Sequence, residues 1–143
     1  MRNPLFILAL SLVLTACDPT GEALVPEDWD QLYREWTLVR LQDESGNDKV
    51  PNKVQSLSLT LSDSNRFSLV SSCNTGAGDF QILEDGGFQF GLIATTKIGC
   101  QDDLVAEWEN RYLQALASVQ EYGLHDGQLR LWSEEDKRYL HFE

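Results

Sequence analysis

The side chains best suited to chemistry are few and scattered. The sequence of 143 residues holds three cysteines, Cys17, Cys73 and Cys100, and two histidines, His125 and His141. Cys73 lies in "SSCNTGAGDF", residues 71–80, next to Asn74 and close to two glycines. Four roles are open to it: nucleophile, metal ligand, half of a disulfide, or buried thiol. A thiol nucleophile needs a base beside it. A zinc site needs Cys or His ligands at short spacing, and a dithiol redox centre usually shows Cys-x-x-Cys. None of these local signatures is present, and Gly-x-Ser-x-Gly, His-Glu-x-x-His and phosphate-loop patterns are missing too. The carboxylate pairs Asp102-Asp103 and Glu134-Glu135 read as a helix start and a charged turn, not as a glycosidase pair. No catalytic residue, metal site or dissociable cofactor is expected.

The elements that must position these residues follow from periodicity. "SLSLTL" places Leu57, Leu59 and Leu61 on one face and Ser56, Ser58 and Thr60 on the other, the pattern of a half-buried strand. Further strands are expected at 36–41, 66–70, 79–83, 87–92, 94–98, 120–124, 128–132 and 138–142. Turn residues lie between them at Asp63-Ser64-Asn65, Glu84-Asp85-Gly86 and Asp126-Gly127, the last a hairpin turn whose central positions favour positive φ. The period changes once: Val105, Trp108, Tyr112, Leu116 and Val119 recur at three and four, predicting a helix from Asp103 to Ala117 with Asp102 or Asp103 near its N-terminus. The fold class is therefore α+β, with about seven or eight short, mainly antiparallel strands and one helix. His125 falls in a hairpin tip beside Asp126, where a solvated turn is expected, and His141 points away from the Leu140 and Phe142 face and is expected to be exposed. Trp29, Trp36, Trp108 and Trp132 are compatible with a sugar-stacking platform, but at these spacings core positions are expected.

The N-terminus has another character. Met1-Arg2-Asn3 leads into the apolar run "LFILALSLVL", too short to span a bilayer, as in a secretory signal peptide. Leu14-Thr15-Ala16-Cys17 resembles the lipobox of bacterial lipoproteins. That resemblance implies removal of residues 1–16, a diacylglycerol on the Cys17 thiol and a fatty acyl chain on its new amine. Several acyl chains anchor stably where one is marginal. Residues 17–34 are then a lipidated N-terminus and acidic tether, whose Trp29, Leu32 and Tyr33 suggest a helical turn docked on the body; residues 35–143 form one domain. The expected location is the bacterial cell envelope, lipid-anchored and facing the periplasm, with Asp18 pointing to inner-membrane retention. A formal charge of −12 from 11 basic and 23 acidic residues argues against nucleic acid as a partner.

With Cys17 given to lipid, Cys73 and Cys100 remain as an even pair in an oxidising compartment. A structural disulfide is the expected state, with two unpaired buried thiols as the alternative. Joined, they would bring Thr95, Thr96 and Lys97 near Asn74, a candidate binding cluster. The plainer reading of that cluster is a stapled turn with its polar groups satisfied.

Several fragments in order resemble the META domain family, which includes HslJ-like heat-inducible lipoproteins. "EWTLVRL" is similar to its opening Trp-x-Leu strand, "SSCNTGAGDF" to its Gly-Cys-Asn segment, and "TTKIGC" to its Thr-(Arg or Lys)-Met-x-Cys segment. The last leads into a helix with an acidic residue, matched here to Glu107, and with Tyr112 and Leu116. "GQLRLW" and "RYLHF" resemble its closing strands. Ser72, Ile98 and Phe80 stand where the family has glycine, methionine and tyrosine. The resemblance spans residues 35–142. It implies a buckled antiparallel sheet curled into a partial barrel, no established catalytic residues, and a binding or scaffolding role in envelope or heat-stress tolerance. The partner would be an unknown envelope protein or a small ligand; carriage of that ligand inside the barrel is the alternative.

Overall fold

The alternation of leucines and serines that marks one strand runs through most of the sheet and decides which side chains face inward. The computed structural model describes residues 29–143. One helical turn, α1 (Trp29–Leu32), leads into β1 (Glu35–Asp43), β2 (Gly46–Lys49), β3 (Leu57–Leu61), β4 (Arg66–Ser71), β5 (Thr75–Ile82), β6 (Phe88–Phe90) and β7 (Ala94–Thr95). The main helix, α2 (Asp103–Ser118), comes next, followed by β8 (Glu121–His125), β9 (Gln128–Ser133) and β10 (Arg138–Phe142).

The strands pair antiparallel in the order β6-β5-β4-β3-β1-β10-β9-β8, with β2 added to β1 and β7 to β5. This eight-strand path nearly closes into a barrel with one seam, between β6 and β8. A Gly87–Glu121 bridge spans the seam. Beside it the Phe88 N–H donates to the Gln120 carbonyl at 2.8 Å, and the Phe88 and Tyr122 rings meet at 5.6 Å. β1 serves both halves because it is long and irregular. A register shift between Leu38 and Arg40 bends it, so that its first half pairs with β3 and its second with β2, while β10 lines its other edge.

The barrel interior is filled. Trp36, Phe80, Phe88 and Phe142 are fully buried there with the inward leucines of β1, β3, β9 and β10. α2 adds Trp108, Tyr112, Ala115 and Leu116 to the same core. The Tyr112 hydroxyl donates to the Ser58 carbonyl at 2.9 Å, and burial pushes this phenol far above its ordinary pKa. Asp102 caps α2, its Oδ1 accepting from the N–H groups of Leu104 at 3.0 Å and Val105 at 3.3 Å. At the β8–β9 hairpin Asp126 and Gly127 take φ of 51° and 75°, as the Asp-Gly pair predicts.

Three segments differ from expectation. β2 has only polar residues, and its place is set by backbone pairing with β1. β5 begins four residues before alternation suggests, at "TGAG", because glycines 76 and 78 accept close neighbours instead of presenting side chains. The expected strand at 94–98 shrinks to Ala94–Thr95, and residues 96–100 instead pass beside Asn74 as an irregular segment.

Candidate functional site

The β4–β5 connection is tight because the chain reverses over Ser72 and Cys73. Ser72 takes a φ of 70°, the Ser71 N–H donates to the Asn74 carbonyl at 2.8 Å, and the Ser72 hydroxyl donates to the Gln55 carbonyl at 2.6 Å. Cys73 is joined to Cys100 across 27 residues, with Cα atoms 5.6 Å apart. The staple brings residues 96–100 against Asn74, which is only 6% exposed.

Asn74 organises this region. Its Oδ1 accepts from the Thr96 hydroxyl at 2.8 Å and from the Ile98 N–H at 2.7 Å; its Nδ2 donates to the Ile98 carbonyl at 3.0 Å and to Glu109 Oε1 at 2.6 Å. Both sides of the amide are thus satisfied, and no donor or acceptor remains for a ligand. Glu109, 8% exposed on the inner face of α2, also accepts from the Cys73 N–H at 3.3 Å through Oε2. The same oxygen lies 3.3 Å from Cys100 Sγ, a contact and not a hydrogen bond, since a bonded sulfur has no proton. Cys73, Cys100 and Glu109 place potential ligand atoms within 4.8 Å of one another, but the disulfide removes both thiolates from such a set. Neither histidine hydrogen-bonds into the network: among the described residues His125 pairs only with Asp126, at 3.1 Å.

The META domain profile matches residues 30–143. The chain belongs to the META domain family. Among solved structures, a protein from Burkholderia xenovorans determined by NMR is 25% identical, with a TM-score of 0.64 over 100% of this chain and 97% of that one. A DUF4847 family protein from Bacteroides vulgatus is 16% identical, with a TM-score of 0.59 over 80% of this chain and 94% of that one; it shares the fold. No curated protein matches the sequence significantly.

In this META domain the expected cluster separates. Asn74 and Thr96 bond directly, and the Thr96 hydroxyl also accepts from the Thr75 N–H at 3.2 Å. Thr95 is half-buried opposite Gly76 in the β5–β7 pairing, and Lys97 is exposed, with no side-chain bond to Asn74. The acidic helix residue that meets the signature segment is Glu109, not Glu107, which faces solvent. Helical spacing could have identified it, because Glu109 stands four residues after Val105, three before Tyr112 and seven before Leu116, on the buried stripe. Cys17, Asp18, the segment 1–16 and most of 17–34 lie outside the described residues.

A second feature of the META domain lies on the outside of the barrel. Trp132, expected in the core, points outward from β9, because Leu129 and Leu131 take the inward positions. Its register partner is Tyr139 on β10, and the two line a groove of about 330 Å³ with Gly123, Leu124, Arg130 and His141. His141 does point away from the Leu140 and Phe142 face, but it is half-buried in this groove. Burial, with the charges of Arg130 and Arg40, lowers its pKa below the ordinary 6.5.

Proposed function

We propose that this protein is a cell-envelope lipoprotein whose META domain works by recognition, without catalysis, in envelope or heat-stress tolerance. The observation that carries this reading is the outer groove: the barrel interior is filled with side chains, while an open, aromatic-lined site lies on the β8–β10 face. The signature cluster adds support. Its amide, carboxylate and sulfurs are consumed by internal bonds, which suits a staple better than a reaction centre. Carriage of a ligand inside the barrel would need space that Trp36, Tyr112 and Phe142 occupy. Among the described residues no helix is long and apolar enough to cross a membrane. The Leu14-Thr15-Ala16-Cys17 sequence supports attachment through acyl chains on Cys17, facing the periplasm, with Asp18 favouring the inner membrane.

Two measurements test the proposal. Labelled palmitate should enter the wild-type protein and not Cys17→Ala; incorporation into both would remove the anchor. A photo-crosslinking amino acid at position 139, in the groove, should capture an envelope component in living cells, whereas the same probe at the exposed position 107 should not. Equal capture at both positions, or none at 139, would overturn the groove as the recognition surface.

A further inference from the structure

The outer face of the sheet carries an arrangement at odds with the composition. This chain has 11 basic and 23 acidic residues. Yet the strand registers set Lys49 opposite Arg40, Arg40 opposite His141, and His141 opposite Arg130, in one row across β2, β1, β10 and β9 that ends at Gly123 of β8. Lys49 and Arg40 are like charges directly opposite, an arrangement that destabilises a sheet; His141 separates Arg40 from Arg130, and no acidic residue is interleaved in the row. Elsewhere three cations are paired: Lys53 with Asp102, Arg66 with Asp79, and Arg111 with Asp43 and Asp48. Arg40 donates to the Asn47 carbonyl and side chain at 3.4 and 3.2 Å. Arg130 has no ion-pair partner among the described residues, although it is exposed in the groove.

The neighbouring row on the same face has the opposite character. It sets Gln42 opposite Tyr139, Tyr139 opposite Trp132, and Trp132 opposite Glu121. Gly123 leaves the Trp132 ring uncovered from the β8 side, since a Cβ there would stand 3.4 Å from it. A cationic row therefore runs beside an aromatic one, with the groove along them.

We infer that this groove binds an acidic saccharide, with the anionic group against Arg130 and His141 and the apolar face of a sugar ring on Trp132 and Tyr139. The inference rests on the recognition role proposed above and names its ligand class. The rim sets the direction of binding. Glu121 lies opposite Trp132, and Glu134 accepts the Tyr139 hydroxyl at 2.9 Å, so negative charge is repelled from the aromatic end and drawn to the arginine end. Asp126 already holds His125 at the hairpin tip. Burial first, and then the positive field of Arg130 and Arg40, lowers the proton affinity of His141 at this end. An anionic bilayer suits the site less well. Trp132 and Tyr139 are half-buried within the groove and do not protrude as a membrane-inserting pair would.

The test uses the full lipidated protein in nanodiscs of uncharged lipid, with calorimetric titration of trigalacturonate and of neutral maltotriose. Trigalacturonate should bind about tenfold or more tighter than maltotriose, and less tightly as salt is raised. Arg130→Gln and Trp132→Ala should each weaken it about tenfold, whereas Lys97→Gln, outside the groove, should leave it unchanged. Equal affinity for the two sugars, or no binding of either, would overturn the inference. So would binding of the soluble headgroup glycerol phosphate, lost in Arg130→Gln, without binding of trigalacturonate; that would assign the groove to lipid headgroups. If trigalacturonate fails while the crosslinker at position 139 captures a protein, the saccharide falls and the recognition role stands. If both fail, both fall.

Discussion

Asn74 and Glu109, 35 residues apart in the chain, meet through a 2.6 Å bond from the asparagine amide to the buried carboxylate. This bond ties the β4–β5 turn to α2 beside the Cys73–Cys100 staple, so two fastenings hold one segment. Asn74→Ala strands the Ile98 N–H, the Thr96 hydroxyl and Glu109, and should cost about 2–4 kcal/mol. Cys73→Ser with Cys100→Ser should cost about 3.5 kcal/mol by loop entropy alone. Because both act on residues 95–100, the triple variant should lose less than the sum, with a coupling of at least about 0.5 kcal/mol. Urea titration of the four proteins checks this; strict additivity would mean that the network and the staple act separately.

Arg111 lies on α2 under a different constraint. Its guanidinium forks onto Asp43 at 2.8 and 3.0 Å, reaches Asp48 at 3.1 Å, and stacks 4.6 Å from the Trp108 ring centroid. Burial alone would raise the Asp43 pKa, but the Arg111 hydrogen bonds, the Ser45 and Gly46 N–H groups and the Arg111 charge together hold it below the ordinary 3.8. A folded-state pKa below the unfolded one gives stability that is present above pH 3.8 and lost as pH falls through the folded value. Asp43→Asn should therefore lower stability at neutral pH by about 1.5–3 kcal/mol and flatten the acid limb of the pH–stability curve. An acid limb unchanged in Asp43→Asn would show that other carboxylates dominate it.

Gly78 tests the close packing around β5. A Cβ at this position would collide with the Leu92 carbonyl and stand 2.8 Å from the Phe67 ring, which itself packs edge-on to Phe90 at 4.9 Å. Gly78→Ala should cost about 1–3 kcal/mol, because the obstacle is backbone as well as a packed ring. Gly86→Ser, at an open turn position, is a poor control since its φ is 85°; Gly99→Ala, with nothing within 4 Å, is the suitable one and should be near neutral. Equal thermal midpoints for the Gly78 and Gly99 variants would contradict this account.

These sites show what could be read in advance. Leu57, Leu59 and Leu61, the 105–119 stripe and Asp126-Gly127 all announce their structure, because burial periodicity and positive φ are local properties. The parity that puts Leu129 and Leu131 inside also puts Arg130 and Trp132 outside, so the groove was half legible; a preference for buried tryptophan obscured it. The cationic row was not legible, since it joins β2, β1, β10 and β9 through registers that no local pattern reveals. Glu109 is hidden from local pattern for a physical reason: a carboxylate on a helix ordinarily marks the wet face, and the Asn74 amide and the Cys73 N–H, brought by distant chain, make its burial tolerable.

His141 joins stability and binding through one proton. Arg40 from β1 and Arg130 from β9 flank it, and burial together with their positive charges depresses its pKa below 6.5. On acidification the unfolded chain takes up this proton before the folded one, so the contribution to stability is full above pH 6.5 and declines as pH falls through the folded value. His141→Gln should flatten that decline in urea midpoints measured between about pH 7.5 and 5. A bound anion acts in the opposite sense, because it favours the imidazolium and offsets the arginine field. Trigalacturonate should therefore bind more tightly as pH falls over the same interval and take up a proton as it does so. That uptake appears as a dependence of the calorimetric enthalpy on buffer ionisation enthalpy. Wild type should show it and His141→Gln should not; identical buffer dependence in the two proteins would place the proton, and the anion, elsewhere.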